Sequence, residues 1–316
     1  MIKIMADSTC DLTQEIIEKY NIGIVPLTIT ISGKEYKENI NLKPDDFYEI
    51  LRTMKESPTT SMPSPAEYLK VINEAMEEGH TKILCICMSS GTSGSYQSAA
   101  IAKEYFYEQF PDSKIKIHVV DSKCMSHGSG YLVLKSSILR EKGFSFRELI
   151  EFNEIYKENI KHFLSVDDLD NLIRSGRLSN ASMLIGKILK IKPIMSMKNG
   201  KGAIVAKERG NKRVLSHYIR EFNLRNDEAL TDFIIIGYTS NKASAKILKQ
   251  EMLERTDFKG EILIMQMGIT VGNHVGLGGL SMYFIEKGHR KDGLLVNEIN
   301  MLIEKKNEVL KKLTGK

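Results

Sequence analysis

The sequence predicts an α/β fold of two domains, with largely parallel sheets flanked by helices. Three observations carry this. Short apolar runs alternate with stretches of helical periodicity along most of the 316 residues, the pattern of strands connected through helices. The run Lys82-Ile83-Leu84-Cys85-Ile86-Cys87-Met88 empties into a hydroxyl- and glycine-rich turn, Ser89 to Ser95, that opens a helix; ligands of parallel sheets sit at such strand ends. A second strand-and-helix set begins near Lys161.

In order along the chain, strands are expected at 2–5, 24–31, 83–88 and 115–120, and helices at 12–20, 44–55, 65–78, 96–110 and 130–141. The helix from 65 has its own start signal. Ser64 is an N-cap, Pro65 fits the first helical position, and Glu67 completes a capping box ahead of Tyr68, Leu69, Val71 and Ile72. In the second set, strands are expected at 163–166, 233–238 and 262–266, with helices starting at Ala181, Arg213 and Asn241. Ile194, Met195, Met197, Ile204 and Val205 alternate around Asn199-Gly200, which predicts an antiparallel hairpin closed by a type I′ turn. The segment 146–159 is helical in pattern and lacks linker composition, so the domains are read as 1–160 and 161–288. Residues 289–316 read as a C-terminal amphipathic helix, with Leu295, Ile299, Leu302, Val309 and Leu313 in three- and four-residue steps. That helix packs on the body of the protein, or it serves a partner.

The chain is 42% hydrophobic and 27% charged, enough for cores in both domains. Cys10, Cys85, Cys87 and Cys124 form no C-x-x-C pair and have no His at zinc spacing, so neither a metal site nor a disulfide framework is expected. Cys85 and Cys87 share a strand face and read as small buried hydrophobes of a reducing compartment. No apolar run reaches the roughly 18 residues of a membrane span, and 1–6 reads as a first strand, too short for a signal sequence, so a cytoplasmic protein is expected. The net charge is +5, partly from Lys305, Lys306, Lys311, Lys312 and Lys316. No aromatic residues interleave with those lysines, so they read as a solvated face rather than a nucleic-acid site.

Three segments carry the candidate chemistry. The turn 89–95 offers hydroxyls and the backbone amides of a helix start to an anion. Pro58 to Pro65 is a second hydroxyl-rich loop; its helix cap accounts for Ser64 but not for Thr60 or Ser61. The third segment, Gly268 to Gly279, places His274 in what reads as a glycine-rich loop. Neither G-x-x-x-x-G-K-[ST] nor G-x-G-x-x-G occurs, so a carboxylate or other small oxyanion fits better than a nucleotide. Clusters of Ser and Gly after strands also serve as ordinary caps and turns.

Together these segments resemble the DegV family of bacterial fatty-acid-binding proteins. The family's Asp-Ser-Thr-x-Asp-Leu is matched by Asp7 to Leu12, its Thr-Ser-x-Pro-Ser-Pro by Thr60 to Pro65, and its Ser-Gly-Thr-Tyr-Gln-Ser-Ala by Ser93 to Ala99. The resemblance runs on through Val120 to Lys123, Leu172 to Leu178 and the His274 segment, covering about residues 1 to 288. Ser95 stands where Thr is usual, Asn273 where Thr is frequent, and Leu277 where Pro is frequent.

The resemblance implies a DegV-like two-domain fold and a long-chain fatty acid in a buried tunnel. The residues that match the family's carboxylate site are Thr60, Ser61, Ser93, Gly94 and His274. It implies no catalytic residue, cofactor or metal. The partner would be a separate, dihydroxyacetone-kinase-like fatty acid kinase that converts the carboxylate to an acyl-phosphate for phospholipid metabolism, with transient membrane contact compatible with that role. Arg174 and Arg209 match the family's kinase-docking surface, while Arg177 reads as a structural ion-pair partner. Two alternatives stay open: a lipid carrier or sensor without a kinase, and a serine hydrolase of acyl esters with Ser93 as nucleophile and His274 as base. Against the hydrolase, Gly91-Thr92-Ser93-Gly94-Ser95 has Ser where a G-x-S-x-G elbow needs its second Gly.

Overall fold

Side chains of Lys82–Cys87 alternate between two helix layers, and this alternation sets the architecture. Ile83, Cys85 and Cys87 pack with Tyr68, Ile72, Ala99 and Phe106 on one side. Leu84 and Ile86 pack with Tyr131, Leu132 and Phe152 on the other. A strand buried on both faces reads as one continuous apolar run, as this one does. The structure is a computed structural model that describes residues 1–54, 56–179 and 191–288. The helix expected from Ala181 and the C-terminal helix at 289–316 lie outside those residues.

The described strands are β1 (Ile2–Asp7), β2 (Gly23–Val25), β3 (Thr28–Ile31), β4 (Lys34–Lys37), β5 (Thr59–Ser61), β6 (Lys82–Cys87), β7 (Lys116–Asp121), β8 (Ile160–Ser165), β9 (Ile191–Lys198), β10 (Lys201–Arg209), β11 (Phe233–Tyr238), β12 (Glu261–Gln266) and β13 (Leu280–Ile285). The described α-helices are α1 (Gln14–Lys19), α2 (Pro44–Thr53), α3 (Pro65–Glu77), α4 (Ser95–Gln109), α5 (His127–Glu141), α6 (Phe146–Tyr156), α7 (Asp170–Arg174), α8 (Asn211–Arg225), α9 (Lys242–Arg255) and α10 (Ile269–Val275). The α/β class expected from the alternation is the class observed.

The first sheet, in the order β2-β1-β6-β7, is wholly parallel. The six-stranded sheet, β10-β9-β8-β13-β11-β12, departs from the parallel expectation: only β11 and β12 run parallel, and its other four pairings are antiparallel. The reason is topological. β9 and β10 form a hairpin, and β13 inserts between β8 and β11, antiparallel to both.

A third, antiparallel sheet, β4-β3-β5, was not foreseen. The single strand expected over 24–31 is split at Pro26, which lacks the N–H a central ladder needs; β2 and β3 then join different sheets. Ser32 and Gly33, with φ of 47° and 79°, turn the chain back into β4 as a hairpin.

Helix α5 lies between the two large sheets, with 12 residues from His127 to Leu139 buried. One core cluster runs through it from Ala6, Leu84 and Val120 to Phe233, Ile235 and Tyr283. Tyr131 stacks on Phe233 at a centroid distance of 4.3 Å. Lys135, buried in the same helix, reaches Asp232 Oδ1 at 2.7 Å and the Leu230 carbonyl at 2.9 Å. Gly128 permits the close approach: a Cβ there would fall inside the imidazole of His162 on β8. Helices α3 and α4 cover the outer face of the parallel sheet, and α8 and α9 cover that of the six-stranded sheet.

Local signals are realised where expected. The Ser64–Glu67 capping box forms, with Glu67 Oε2 accepting from the Ser64 amide at 2.8 Å. The hairpin β9–β10 turns at Asn199 and Gly200, with φ of 51° and 73°. Cys85 and Cys87 are buried thiols whose sulfurs lie 3.6 Å apart.

Candidate functional site

The carboxyl end of β6, the strand β5, the helix α10 and the hairpin β9–β10 converge on one cavity of about 360 Å³. Its lining is mainly apolar and includes Leu164, Leu172, Leu178, Val271 and Val275. Thr60, Ser61, Ser93, Gly94 and His274 all line it, so the three segments separated in sequence meet here.

His274 does not stand in a loop. Residues 269–275 form α10, which ends at Gly276 with φ of 78°. A helix places Thr270 and His274, four residues apart, on one face, and both reach the cavity. Likewise Thr60 and Ser61 lie on β5, where Thr60 pairs with Ile29 and Ser61 with Thr28. Thr60 Oγ1 and His274 Nε2 share a hydrogen bond of 3.0 Å. Burial, and then the nearby Arg177 guanidinium, hold the His274 imidazole down to about 4, so at neutral pH it is uncharged and bonds as a neutral donor or acceptor.

Ser93 stands at the start of α4. Its Oγ accepts from the Ser95 amide at 3.2 Å and shares a 2.9 Å bond with Ser95 Oγ. Gly94 is the N-cap of that 15-residue helix and makes no side-chain cap bond. The Met62 side chain crosses Gly94 so closely that a Cβ there would meet Met62 Sδ.

Arg177 lies in the cavity wall. Among the described residues it forms no salt bridge, and its Nη1 donates to the Ser175 carbonyl. The only sequence signal was its place in Leu172 to Leu178, which the Arg174 reading overshadowed. Arg174 ends α7 in solvent; its Nη2 donates to Asn171 Oδ1 at 2.6 Å and to Ser57 Oγ. Ser57 and Asn171 border an adjoining cleft that also carries Glu56, Asp167, Asp168 and Asp170. Arg209 ends β10, exposed.

The cavity rests on a lattice of buried carboxyls that the sequence reading left without a role. Asp7 Oδ2 accepts from the Met88 amide at 2.9 Å, fixing the start of the 88–94 turn. Ser126 Oγ donates to Asp11 Oδ2 at 2.5 Å. Glu38 accepts from Ser8 Oγ at 2.5 Å and from the Thr270 amide at 2.9 Å, tying α10 to the end of β1. Burial pushes the Asp11 carboxyl well above its ordinary range, with the neighbouring Glu38 adding to the rise; burial raises Glu38 as well. Asp121 does similar work on the far side of the turn, accepting from the Ser90 amide at 3.0 Å and pairing with Lys123 at 2.6 Å.

Among the described residues no group of His, Cys, Asp and Glu has a geometry that would hold a metal ion, and no helix is long and apolar enough to cross a membrane.

Comparison with known proteins gives the same frame. The family model described as uncharacterised protein, DegV family, matches residues 1–287. A DegV domain-containing protein of Clostridium acetobutylicum is 36% identical over 291 residues, spanning 90% of this chain and 99% of the relative. A DegV family protein from Thermus thermophilus, described for its fatty acid binding, superposes with a TM-score of 0.81 at 28% identity, covering 90% of this chain and 99% of that one. DegV of Bacillus subtilis, a fatty acid binding protein, gives 0.78 at 28% identity, covering 90% and 99%. A stearic-acid-binding protein of Eubacterium ventriosum gives 0.81 at 26% identity, covering 91% and 99%. With its family model matched from the first residue to the last strand, this chain belongs to the DegV family.

Proposed function

We propose that the cavity binds one long-chain fatty acid, with its carboxylate among Thr60, Ser61, Ser93, Gly94, His274 and Arg177 and its chain along the apolar walls. The observation that carries this is the composition of one cavity: a mainly apolar lining, a hydroxyl-imidazole pair 3.0 Å long, and an arginine with no described acidic partner. Burying a carboxylate is costly unless it is hydrogen-bonded and paired. The neutral imidazole and the hydroxyls supply the hydrogen bonds, and Arg177 supplies the charge. Burying a 16-carbon chain at about 0.8 kcal/mol per CH₂ gives a gross term on the order of 12 kcal/mol, enough for tight binding after ordering costs. The solved relatives that bind fatty acids support the same reading.

The protein then acts as the binding subunit of a two-protein system in the cytoplasm, without catalysis of its own. A separate kinase approaches across Arg174 and Arg209, and a carboxylate oxygen attacks the terminal phosphorus of a nucleoside triphosphate that the kinase holds; the bond from that phosphorus to the bridging oxygen breaks, the nucleoside diphosphate leaves, and an acyl-phosphate remains. The four thiols among the described residues fit a reducing compartment. A division of the chain near residue 160 assigns the Thr60 and Ser93 segments to one domain and the His274 segment to the other, with the ligand between them.

The hydrolase alternative draws less support. A serine nucleophile needs its base on its own hydroxyl; here His274 bonds to Thr60 and Ser93 bonds to Ser95. The test is solvent extraction of purified protein with mass spectrometry. About one fatty acid per chain supports the proposal, and recovery of a nucleotide or of no lipid sinks it. Acyl-phosphate formed only when kinase and nucleotide are added separates the kinase-coupled carrier from a carrier acting alone.

A further inference from the structure

We infer that the cavity accepts acyl chains of different shape, straight, cis-bent or methyl-branched, with nearly equal affinity, because its lining is rich in methionine. The inference rests on the fatty-acid reading and names the range of chains that the same site takes.

Six methionines line the cavity: Met62, Met88, Met125, Met195, Met197 and Met267. They fall into two groups. Met195 and Met267 belong to a packed cluster with Leu172, Leu178, Val271 and Val275, which makes a fixed wall. Met62, Met88, Met125 and Met197 belong to no core cluster among the described residues, although all four border the cavity. Tyr283 is the only Phe, Tyr or Trp side chain in the described lining. An unbranched thioether with three rotatable bonds fills irregular space and adapts to what enters it, whereas branched and aromatic side chains impose a shape. Met-rich surfaces are a recurrent means of accepting several ligands. Methionine side chains in the lining can move to follow a bend or a methyl branch that a rigid pocket would reject.

The experiment is a panel of dissociation constants for hexadecanoic acid, cis-9-octadecenoic acid and 14-methylpentadecanoic acid, measured by displacement of a fluorescent fatty acid from delipidated full-length protein. A rigid apolar pocket discriminates such changes by roughly tenfold or more. The parent is expected to bind all three within about threefold. Met88→Ile with Met197→Ile places β-branched, stiff side chains at a strand end and within a strand, and is expected to spread the panel to tenfold or more. A tenfold spread in the parent, or a double variant as flat as the parent, overturns the inference while leaving fatty-acid binding intact. If the double variant does not fold, Met197→Leu with the parent panel decides by the same criterion. A parent that binds none of the acids removes the fatty-acid reading, and this inference falls with it.

Discussion

His274 Nε2 and Thr60 Oγ1 lie 3.0 Å apart although 214 residues separate them. Neither would be held at a cavity wall without the other's element: Thr60 sits on the edge strand β5, and His274 on the short helix α10 that packs beside that sheet. Thr60→Val keeps the shape and removes the hydroxyl. It is expected to weaken fatty-acid binding about tenfold, the worth of one hydrogen bond, with little change in thermal midpoint. Displacement titration with a melting curve checks it; unchanged affinity would place the pair outside the head-group site.

Ser93→Ala separates carrier from hydrolase. Losing a hydrogen bond to a charged carboxylate is worth roughly 1.5–3 kcal/mol, so the dissociation constant for free fatty acid should rise by one to two powers of ten. The parent should not cleave long-chain p-nitrophenyl esters. Turnover that vanishes in both Ser93→Ala and His274→Ala would establish the hydrolase instead.

Two arginines three residues apart should behave differently. Arg177 faces His274 in the cavity wall, whereas Arg174 is exposed on the rim. Arg177→Gln is expected to cost fatty-acid affinity tenfold or more, because a buried carboxylate loses its cation. Arg174→Ala should leave lipid affinity unchanged and lower kinase-dependent phosphorylation, with the loss largest at low salt and fading as salt is raised. Equal effects of Arg174→Ala on both readouts would move it into the pocket or the fold, and no effect on either would remove it from the docking face.

Buried imidazoles and buried carboxyls should change stability with pH in opposite directions. Burial holds His127 and His162 down to about 3, and burial followed by Arg177 holds His274 down to about 4, against an ordinary value of 6.5. The unfolded chain therefore takes up these protons first, and stability drops as pH falls from 6.5 toward 3. Asp11 and Glu38 are shifted the other way. The folded protein keeps their protons after the unfolded chain has released them, so that contribution is full at low pH and is lost as pH rises through the folded values. Denaturant unfolding between pH 3 and 9 should show His127→Gln reducing the loss of stability as pH falls below 6.5, and Asp11→Asn reducing the loss as pH rises above the ordinary carboxyl range. A parallel shift of the whole curve would count against both assignments.

Much of this molecule is legible in short stretches of sequence because short-range chemistry decides it. The bounds of β11 at Phe233–Tyr238 follow from an uninterrupted apolar run, the start of α3 from Ser64 and Glu67, and the β9–β10 turn from Asn199-Gly200. The Thr60, Ser93 and His274 segments could be singled out because their hydroxyls, glycines and imidazole follow the family's motifs in order along the chain. Tertiary structure alone decided the rest. Whether neighbouring strands run parallel depends on which strands become neighbours, and the placement of β13 between β8 and β11 accounts for two of the second sheet's antiparallel pairings. His274 lies on a helix whose first turn is held at the Thr270 amide by Glu38, a residue 232 positions away. Arg177 became a candidate ligand group because folding left it in a cavity wall without a described acidic partner. Pairings across hundreds of residues leave no local pattern, since what each group contributes depends on the field and the hydrogen-bond partners that only the assembled core supplies.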